Sequence, residues 1–502
     1  MEENNEVTVA YATNLPALNV KSQLNINIDS NTNVKQVLNV ETCLIESKIE
    51  PMTNKALVKG VIGIKVVYVD TDNMYSSVSD TISFTETLSS ELISANCEIY
   101  INNSQFIAEC DTDSKTLRVS VDGYIELFCN TNNKLKLFNS STESLITKKS
   151  TLSSDYCAQI INKEVNYSSD FILDSRVNKI LSYDGKVVVD DTQCYDGYAV
   201  TNGQIINTIV YGVENDNGNL IRIFNNSINF KCEIEANNCD NHCVADLSLY
   251  INPNSTQIST EINENSTKLS FDYSIIACGS VYKNVSFDVV EDMYSLDNFV
   301  EPISNNYSLC KKSPYIKVNE NIDTEIILSD ELSVDEILGM VNTNSSIVKY
   351  SVNDDAVVVE GVVSGNLLYL DENKEIKHLP TQLPYSINIK CDLKDKVCGM
   401  HFAVIPVVCK CKIKRGNTLI VDCELCVSGN VYTNKDVQLI DSMKIGSTIN
   451  YGDIAFQVYI AKPNETSWDL CKRLHITPEQ LACYNKDCPT SYVGGEKVLV
   501  YR

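Results

Sequence analysis

The sequence is poor in the residues that most chemistry needs. Histidine occurs four times in 502 residues, as His242, His378, His401 and His475, and none stands in a recognisable frame with a nucleophile. No phosphate-cradling glycine loop and no dinucleotide fingerprint occurs, so no cofactor is expected. Basic residues are outnumbered, 41 Lys and Arg against 66 Asp and Glu, which leaves a net charge of −25. That balance excludes a nucleic-acid groove, which needs a basic stripe to neutralise phosphates. It equally opposes adsorption to anionic lipid. No apolar run approaches the ~20 residues that cross a bilayer, so membrane insertion is not expected. The opening Met1-Glu-Glu-Asn-Asn-Glu lacks the basic and apolar regions of an export signal, which points to a protein kept in a cytoplasm. Paired acids such as Asp190-Asp191 and Asp354-Asp355 fall at turns, where solvation explains them. The expectation is a protein that is not an enzyme.

Cysteine, by contrast, is plentiful, with 20 in the chain. Disulfides rarely persist in a reducing compartment, so most of these thiols read as small buried hydrophobes. Cys232 and the run Cys239-Asp-Asn-His242-Cys243 hold zinc-binding residue types but no CxxC pair, and no metal site is expected there. Cys423-Glu-Leu-Cys426 has the spacing, yet strand alternation turns its two thiols to opposite faces.

The main organising signal is a threefold repeat. Val34-Lys-Gln-Val37-Leu38, Val177-Asn-Lys-Ile180-Leu181 and Val334-Asp-Glu-Ile337-Leu338 are followed by Gly60, Gly203 and Gly361 after 26, 26 and 27 positions. Tyr68, Tyr211 and Tyr369 come eight positions later in every copy. A second half opens on Leu117-Arg-Val119, Leu269-Ser-Phe271 and Leu419-Ile-Val421, after 49, 58 and 50 further positions. One β-rich unit is therefore used three times. Short alternating strands separated by turn residues predict an antiparallel sandwich or barrel in each copy, and periodicity does not choose between them. Within each unit, the apolar residues at i, i+3 and i+4 of the opening segment predict one turn of helix. Asn217-Gly218 predicts a tight hairpin. The polar stretches 139–155 and 301–321 read as linkers. The domains expected are 1–148, 156–300 and 320–450, with a fourth at 455–502.

That last segment changes pattern. Val458-Tyr-Ile-Ala461 reads as a strand. Thr466-Ser-Trp-Asp469 is a capping box, in which Thr accepts from an orphan helix N–H and Asp reaches back. Thr477-Pro478-Glu479-Gln480 starts a second helix with proline at its first position. Gly494-Gly495 then turns the chain into the strand Lys497–Tyr501. The order is β-α-α-β.

On the Tyr459 strand, Asn464-Glu465-Thr466-Ser467-Trp468, Asn485 and Gly494-Gly495, this unit resembles a LysM domain. The usual motif is Gly-Asp-Thr-Leu-Trp, so Asn464 and Glu465 depart from it while Thr466 and Trp468 keep it. The three repeats resemble SPOCS domains, through the Ile-Leu turn, the Gly-x7-Tyr strand and the Leu-x-Val start of the second half. Tandem SPOCS domains before one LysM domain resemble the SipL-like family of clostridial spore coat morphogenetic proteins. The resemblance implies a scaffold or adaptor in coat assembly at the forespore surface, on the mother-cell side. It implies that the LysM domain binds the coat's morphogenetic ATPase, alongside other coat proteins. Lys462, Asn464, Glu465, Thr466, Trp468, Asn485 and Lys486 are the implied binding residues, Trp468 as an aromatic anchor or as packing. The alternative is a peptidoglycan- or N-acetylglucosamine-binding LysM domain, gripping sugar between its two loops with the repeats as a stalk.

Overall fold

The computed structural model describes residues 6–501 except 29–31, 114, 140–143, 216–217, 329–332, 354, 392, 394, 415–417, 451–455 and 486–488. Strand dominates. The first repeat comprises β1 (Glu6–Asn14), β2 (Leu18–Asn27), β3 (Val34–Met52), β4 (Lys55–Asp70), β5 (Tyr75–Ser89), β6 (Glu98–Asp113) and β7 (Thr116–Lys136). The second has β8 (Leu145–Leu173), β9 (Val177–Tyr195), β10 (Tyr198–Asn215), β11 (Gly218–Glu235), β12 (Cys243–Ile251), β13 (Gln257–Ile262) and β14 (Thr267–Ser295). The third has β15 (Asn298–Lys312), β16 (Ile316–Ile327), β17 (Glu336–Asn353), β18 (Ala356–Leu370), β19 (Ile376–Lys390), β20 (Lys396–Lys414) and β21 (Thr418–Thr448). The chain closes with β22 (Phe456–Ile460), α1 (Ser467–Leu474), α2 (Pro478–Tyr484) and β23 (Lys497–Tyr501).

Each repeat builds two antiparallel sheets. The first is a three-stranded meander, β3-β4-β5, β9-β10-β11 or β17-β18-β19. The second is organised on a long central strand, β7, β14 or β21, paired on both sides. The two sheets of a repeat share one apolar core, which makes each a sandwich rather than a barrel. The Leu-x-Val positions that open each second half lie at its centre, with Leu117, Leu269 and Leu419 fully buried. β10 and β11 pair up to Asn215 and Gly218, as a hairpin there requires; Asn217 itself lies outside the described residues.

The predicted helical turn is not formed. Val34–Leu38 lies in strand β3, and its counterparts lie in or beside β9 and β17. Helical spacing arises because the register slips twice in a few residues, between Val34 and Gln36 and again between Val37 and Asn39, with similar slips in the other copies. Each bulge inserts a residue and rotates the strand, which breaks period two. The consequence is a division of labour. Val34 and Val37 face their own repeat's core, while Leu38 faces outward into a separate cluster. Leu181 and Leu338 reach that same cluster from the other two repeats.

The glycine of the repeat has a steric cause. Gly60, Gly203 and Gly361 sit opposite Phe84, Phe230 and Tyr385 on the neighbouring strands. A Cβ would stand 2.5 Å from the Phe84 ring, 2.9 Å from the Phe230 ring and 2.3 Å from the Tyr385 hydroxyl. The aromatic ring, together with the Val188 carbonyl at Gly203 and the Ser346 carbonyl at Gly361, each 2.1 Å from that Cβ, occupies the place of the missing side chain.

The polar stretches expected to be linkers are largely strand. Residues 145–155 begin β8, and 301–312 belong to β15. Their polarity reflects position: β1, β8 and β15 touch one another in a three-way bundle of narrow ribbons, with little apolar surface to cover. Along β14 the side chains enter successive clusters: Tyr282, then Phe287 and Val289, then Met293, then Tyr294. From Tyr282 to Tyr294 the strand covers about 40 Å. The C-terminal unit packs at its far end.

Among the described residues, Cys483 is the one exposed cysteine, in keeping with thiols used as core atoms. Cys423 packs in the third repeat's core while Cys426 joins Val188 and Ile206 in another cluster, so the CxxC pair is split between faces. No helix among the described residues is long and apolar enough to cross a membrane.

Candidate functional site

The C-terminal unit carries the candidate binding residues. Both helix starts form as their sequences dictate: Thr466 caps α1 with Asp469 reaching back, and Thr477 caps α2 with Gln480 reaching back. β22 and β23 pair antiparallel, from Phe456 opposite Tyr501 to Ile460 opposite Lys497. The two loops expected to frame a groove are tied together. Asn464 N–H donates to the Tyr492 carbonyl at 2.9 Å, and Tyr492 N–H to the Glu465 carbonyl at 2.8 Å. Ser467 Oγ donates to the Pro489 carbonyl at 2.6 Å. Asn464 has φ 61°, a left-handed conformation that glycine adopts freely and asparagine tolerates better than other residues.

Several candidate residues are structurally committed. Glu465 is buried, accepts the Lys462 N–H at 2.8 Å and pairs with Arg473, whose guanidinium lies 4.2 Å over the Tyr459 ring. Asn485 donates to the Leu481 and Leu499 carbonyls and accepts from Leu499 N–H, each at 2.8 Å. Lys462 and Asn464 are exposed; Lys486 lies outside the described residues.

Trp468 is turned toward the repeats. Its Nε1–H donates to Asp292 Oδ2 at 2.8 Å, and its ring meets Tyr294 edge-on at 5.1 Å. Lys472 donates to Asp292 Oδ1 at 2.5 Å, and the Tyr294 hydroxyl to the Ile476 carbonyl at 2.7 Å. Burial works to raise the Asp292 pKa, but Lys472 and Trp468 outweigh it and hold the carboxyl below its ordinary value. The tryptophan thus anchors the unit to the tip of β14. What the unit turns to solvent is an apolar stripe that the sequence analysis did not single out. Phe456, Val458 and Ile460 alternate on one face of β22 and are 55%, 47% and 51% exposed, beside Tyr501 and Tyr484.

A second site lies where the repeats meet. A chamber of about 700 Å³ is walled by Glu41 and Lys65 from the first repeat, Tyr183 and Lys186 from the second, and Asn342 and Asn344 from the third. Ser182 donates to Glu41 from across the junction, and Asn39 donates to the same oxygen at 2.9 Å. Burial nevertheless dominates and raises the Glu41 pKa to about 7. Lys186 Nζ donates to Thr343 Oγ1 at 2.7 Å, and Asn342 Nδ2 to the Val40 carbonyl at 2.8 Å.

Ser248, on the chamber wall, belongs to a buried relay. Its Oγ is 2.8 Å from His401 Nε2, and His401 Nδ1 is 3.2 Å from Asp246 Oδ1. The Tyr432 hydroxyl donates to the second oxygen of Asp246. Burial opposes ionisation of Asp246, but His401, Lys312 and these hydrogen bonds prevail and lower its pKa to about 2. Sequence alone had one faint signal for this group: Asp246 and Ser248 are two apart and share a strand face. His401 stands 153 residues from Ser248 and joins them only through the packing of repeats. Of Cys232, Cys239, His242 and Cys243, the thiols of Cys239 and Cys243 lie within hydrogen-bond reach of each other. His242 is exposed, and no cluster of three or more His, Cys, Asp or Glu able to hold a metal occurs among the described residues.

Taken together, these features define a tandem β-sandwich protein whose units close on one another and carry a small α/β unit at one end. Two segments of the chain, residues 33–104 and 176–263, match the family model described as SipL, SPOCS domain. They cover the meander sheets of the first two repeats. No curated protein and no solved structure matches the chain.

Proposed function

We propose that the protein is a scaffold of endospore coat assembly, acting at the forespore surface from the mother-cell side. The observation that carries this reading is the match of two repeats to the SipL SPOCS domain, joined to a third copy of the same sandwich. Three locked units offer several faces at a fixed geometry, as a protein that gathers others needs. The C-terminal unit is read as a LysM domain that binds the coat's morphogenetic ATPase, with other coat proteins meeting the repeats. Because Trp468 is engaged with Asp292, the stripe Phe456, Val458 and Ile460 is the better partner surface. Exposed aromatic and aliphatic clusters of this kind anchor interfaces.

The test is a pull-down from sporulating cells with the full chain, its Val458→Asp/Ile460→Asp variant and its Trp468→Ala variant. One dominant ATPase, recovered with the parent and lost with the stripe variant at unchanged melting temperature, supports the reading. Recovery of muropeptides, or tight binding of chitin oligomers without protein capture, favours the glycan-gripping alternative.

A further inference from the structure

The Asp246, His401 and Ser248 relay has a direction. An ionised Asp246 can only accept hydrogen bonds, so the His401 nitrogen facing it, Nδ1, carries the proton. In neutral imidazole the other nitrogen is then a lone pair, and Nε2 is the atom that faces Ser248 Oγ at 2.8 Å. With His401 neutral, the serine hydroxyl donates to a base whose tautomer is fixed from behind by a carboxylate. Tyr432 on the remaining Asp246 oxygen holds that carboxylate in place. Two of the three groups are deeply buried, His401 at 3% and Asp246 at 2% exposure. Ser248, by contrast, is partly exposed and borders both the central chamber and a void of about 40 Å³ lined also by His401 and Gly429. The larger space has the size of a small-molecule site, and the smaller has room for a water. Structural serines of this kind usually bond to backbone; one aimed at an oriented imidazole beside a chamber has the elements of nucleophilic catalysis.

We propose that Ser248, His401 and Asp246 form an acyl-transfer site that cleaves a small ester bound in the chamber between the repeats. Ser248 Oγ attacks the ester carbonyl carbon while its proton passes to His401 Nε2. The bond from that carbon to the alcohol oxygen breaks as His401 returns the proton to the leaving alcohol, which gives an acyl-serine. Water then attacks the acyl carbon, His401 takes its proton, and the carboxylic acid leaves as the proton returns to Ser248. Asp246 is a positioning residue that keeps the imidazole in the required tautomer. Three acidic side chains, Glu41, Asp80 and Asp184, face two basic ones, Lys65 and Lys186, across the chamber, so its wall carries little net charge and suits an uncharged ester. The proposal reaches beyond the scaffold reading and departs from the expectation that the chain is not an enzyme.

The experiment uses the folded full-length chain and a fluorophosphonate probe, whose phosphorus takes the serine oxygen as fluoride leaves. Mass spectrometry of the labelled protein is expected to place the adduct on Ser248. Ser248→Ala should abolish the adduct and lower hydrolysis of p-nitrophenyl acetate at least ~100-fold. His401→Gln should slow labelling of Ser248 at least ~100-fold while the variant stays folded. Circular dichroism and the melting temperature report whether each variant folds. Absence of a Ser248 adduct in the folded parent overturns the proposal, as does labelling or hydrolysis unchanged in Ser248→Ala. Either failure leaves coat-protein capture, and hence the scaffold reading, untouched.

Discussion

Two of the levels at which the three repeats meet solve the meeting in opposite ways. At one level Leu38, Val67 and Val69 of the first repeat, Leu181, Val210 and Ile221 of the second, and Val341, Leu368 and Ile376 of the third make a purely apolar cluster. At the other, Phe128, Tyr282 and Tyr432 come together with a polar group at their edges. There Tyr282 donates to Asn130 at 2.7 Å, Asn130 donates to Ser280 at 2.8 Å, and Tyr432 donates to Asp246. The apolar level supplies cohesion, because burial has no direction and tolerates small shifts. The polar level supplies identity, because each donor fits one acceptor and an unpaired buried group is costly. Copies that resemble one another could dock in the wrong order; the polar level, which differs in each copy, distinguishes them.

Breaking the polar level should have the largest effect. Asp246→Ala leaves His401 and Tyr432 without their shared acceptor and is expected to cost ~3–5 kcal/mol, read as a lowered urea midpoint of the full chain. Next comes the apolar level. Leu38→Ala and Leu181→Ala should each cost about 3 kcal/mol, since both side chains are buried at 1% exposure or less. Their near-equality is the sharper point, because a cluster shared evenly by three repeats predicts similar losses. A cost below ~1 kcal/mol for either would show that the repeats do not lean on this cluster.

A pH dependence separates the levels further. Glu41 has a folded pKa raised to about 7, so between the ordinary carboxylate range and pH 7 the folded state binds the extra proton. Stability from this group is therefore lost as pH rises through that window and is constant above it. Asp246, lowered to about 2, acts in the opposite sense, losing its contribution as pH falls from about 4 toward 2. Glu41→Gln should reduce the neutral slope in urea midpoints measured from pH 2 to pH 8, the remainder coming from Glu126, which burial also raises to about 7, and should leave the acid limb in place. The smallest effect belongs to the tip. Asp292→Ala removes the acceptor of Trp468 and Lys472 and should cost ~1–2 kcal/mol locally. Hydrogen exchange should then quicken in α1 while β7, β14 and β21 keep their protection.

Much of this architecture was legible before the fold was known. Matching spacings in three copies disclosed the repeat, and its glycine and Leu-x-Val positions proved to be core positions in every copy. The capping residues Thr466 and Thr477 marked both helices because their signals are local. What failed was periodicity read in isolation: Val34, Val37 and Leu38 imitate a helix because two bulges share one strand between two cores. Trp468 could be named as an anchor, but not which way it faced, since that depends on Asp292, 176 residues away. Ser248 and His401 escaped notice for the same reason. Polar composition misled at 145–155, where ribbon strands with little core to cover look like linkers.

The length of β14 has a mechanical consequence. Its ladder with β8 runs antiparallel from Thr267 opposite Leu173 to Ser295 opposite Leu145, and the C-terminal unit grips its end through Asp292 and Tyr294. Tension delivered through that grip runs along the strand axis. The rungs of the ladder lie across the pull, so they are loaded together in shear instead of opening one at a time. A chain built this way transmits strain into the whole sandwich, and its weakest link is the side-chain clasp at the tip.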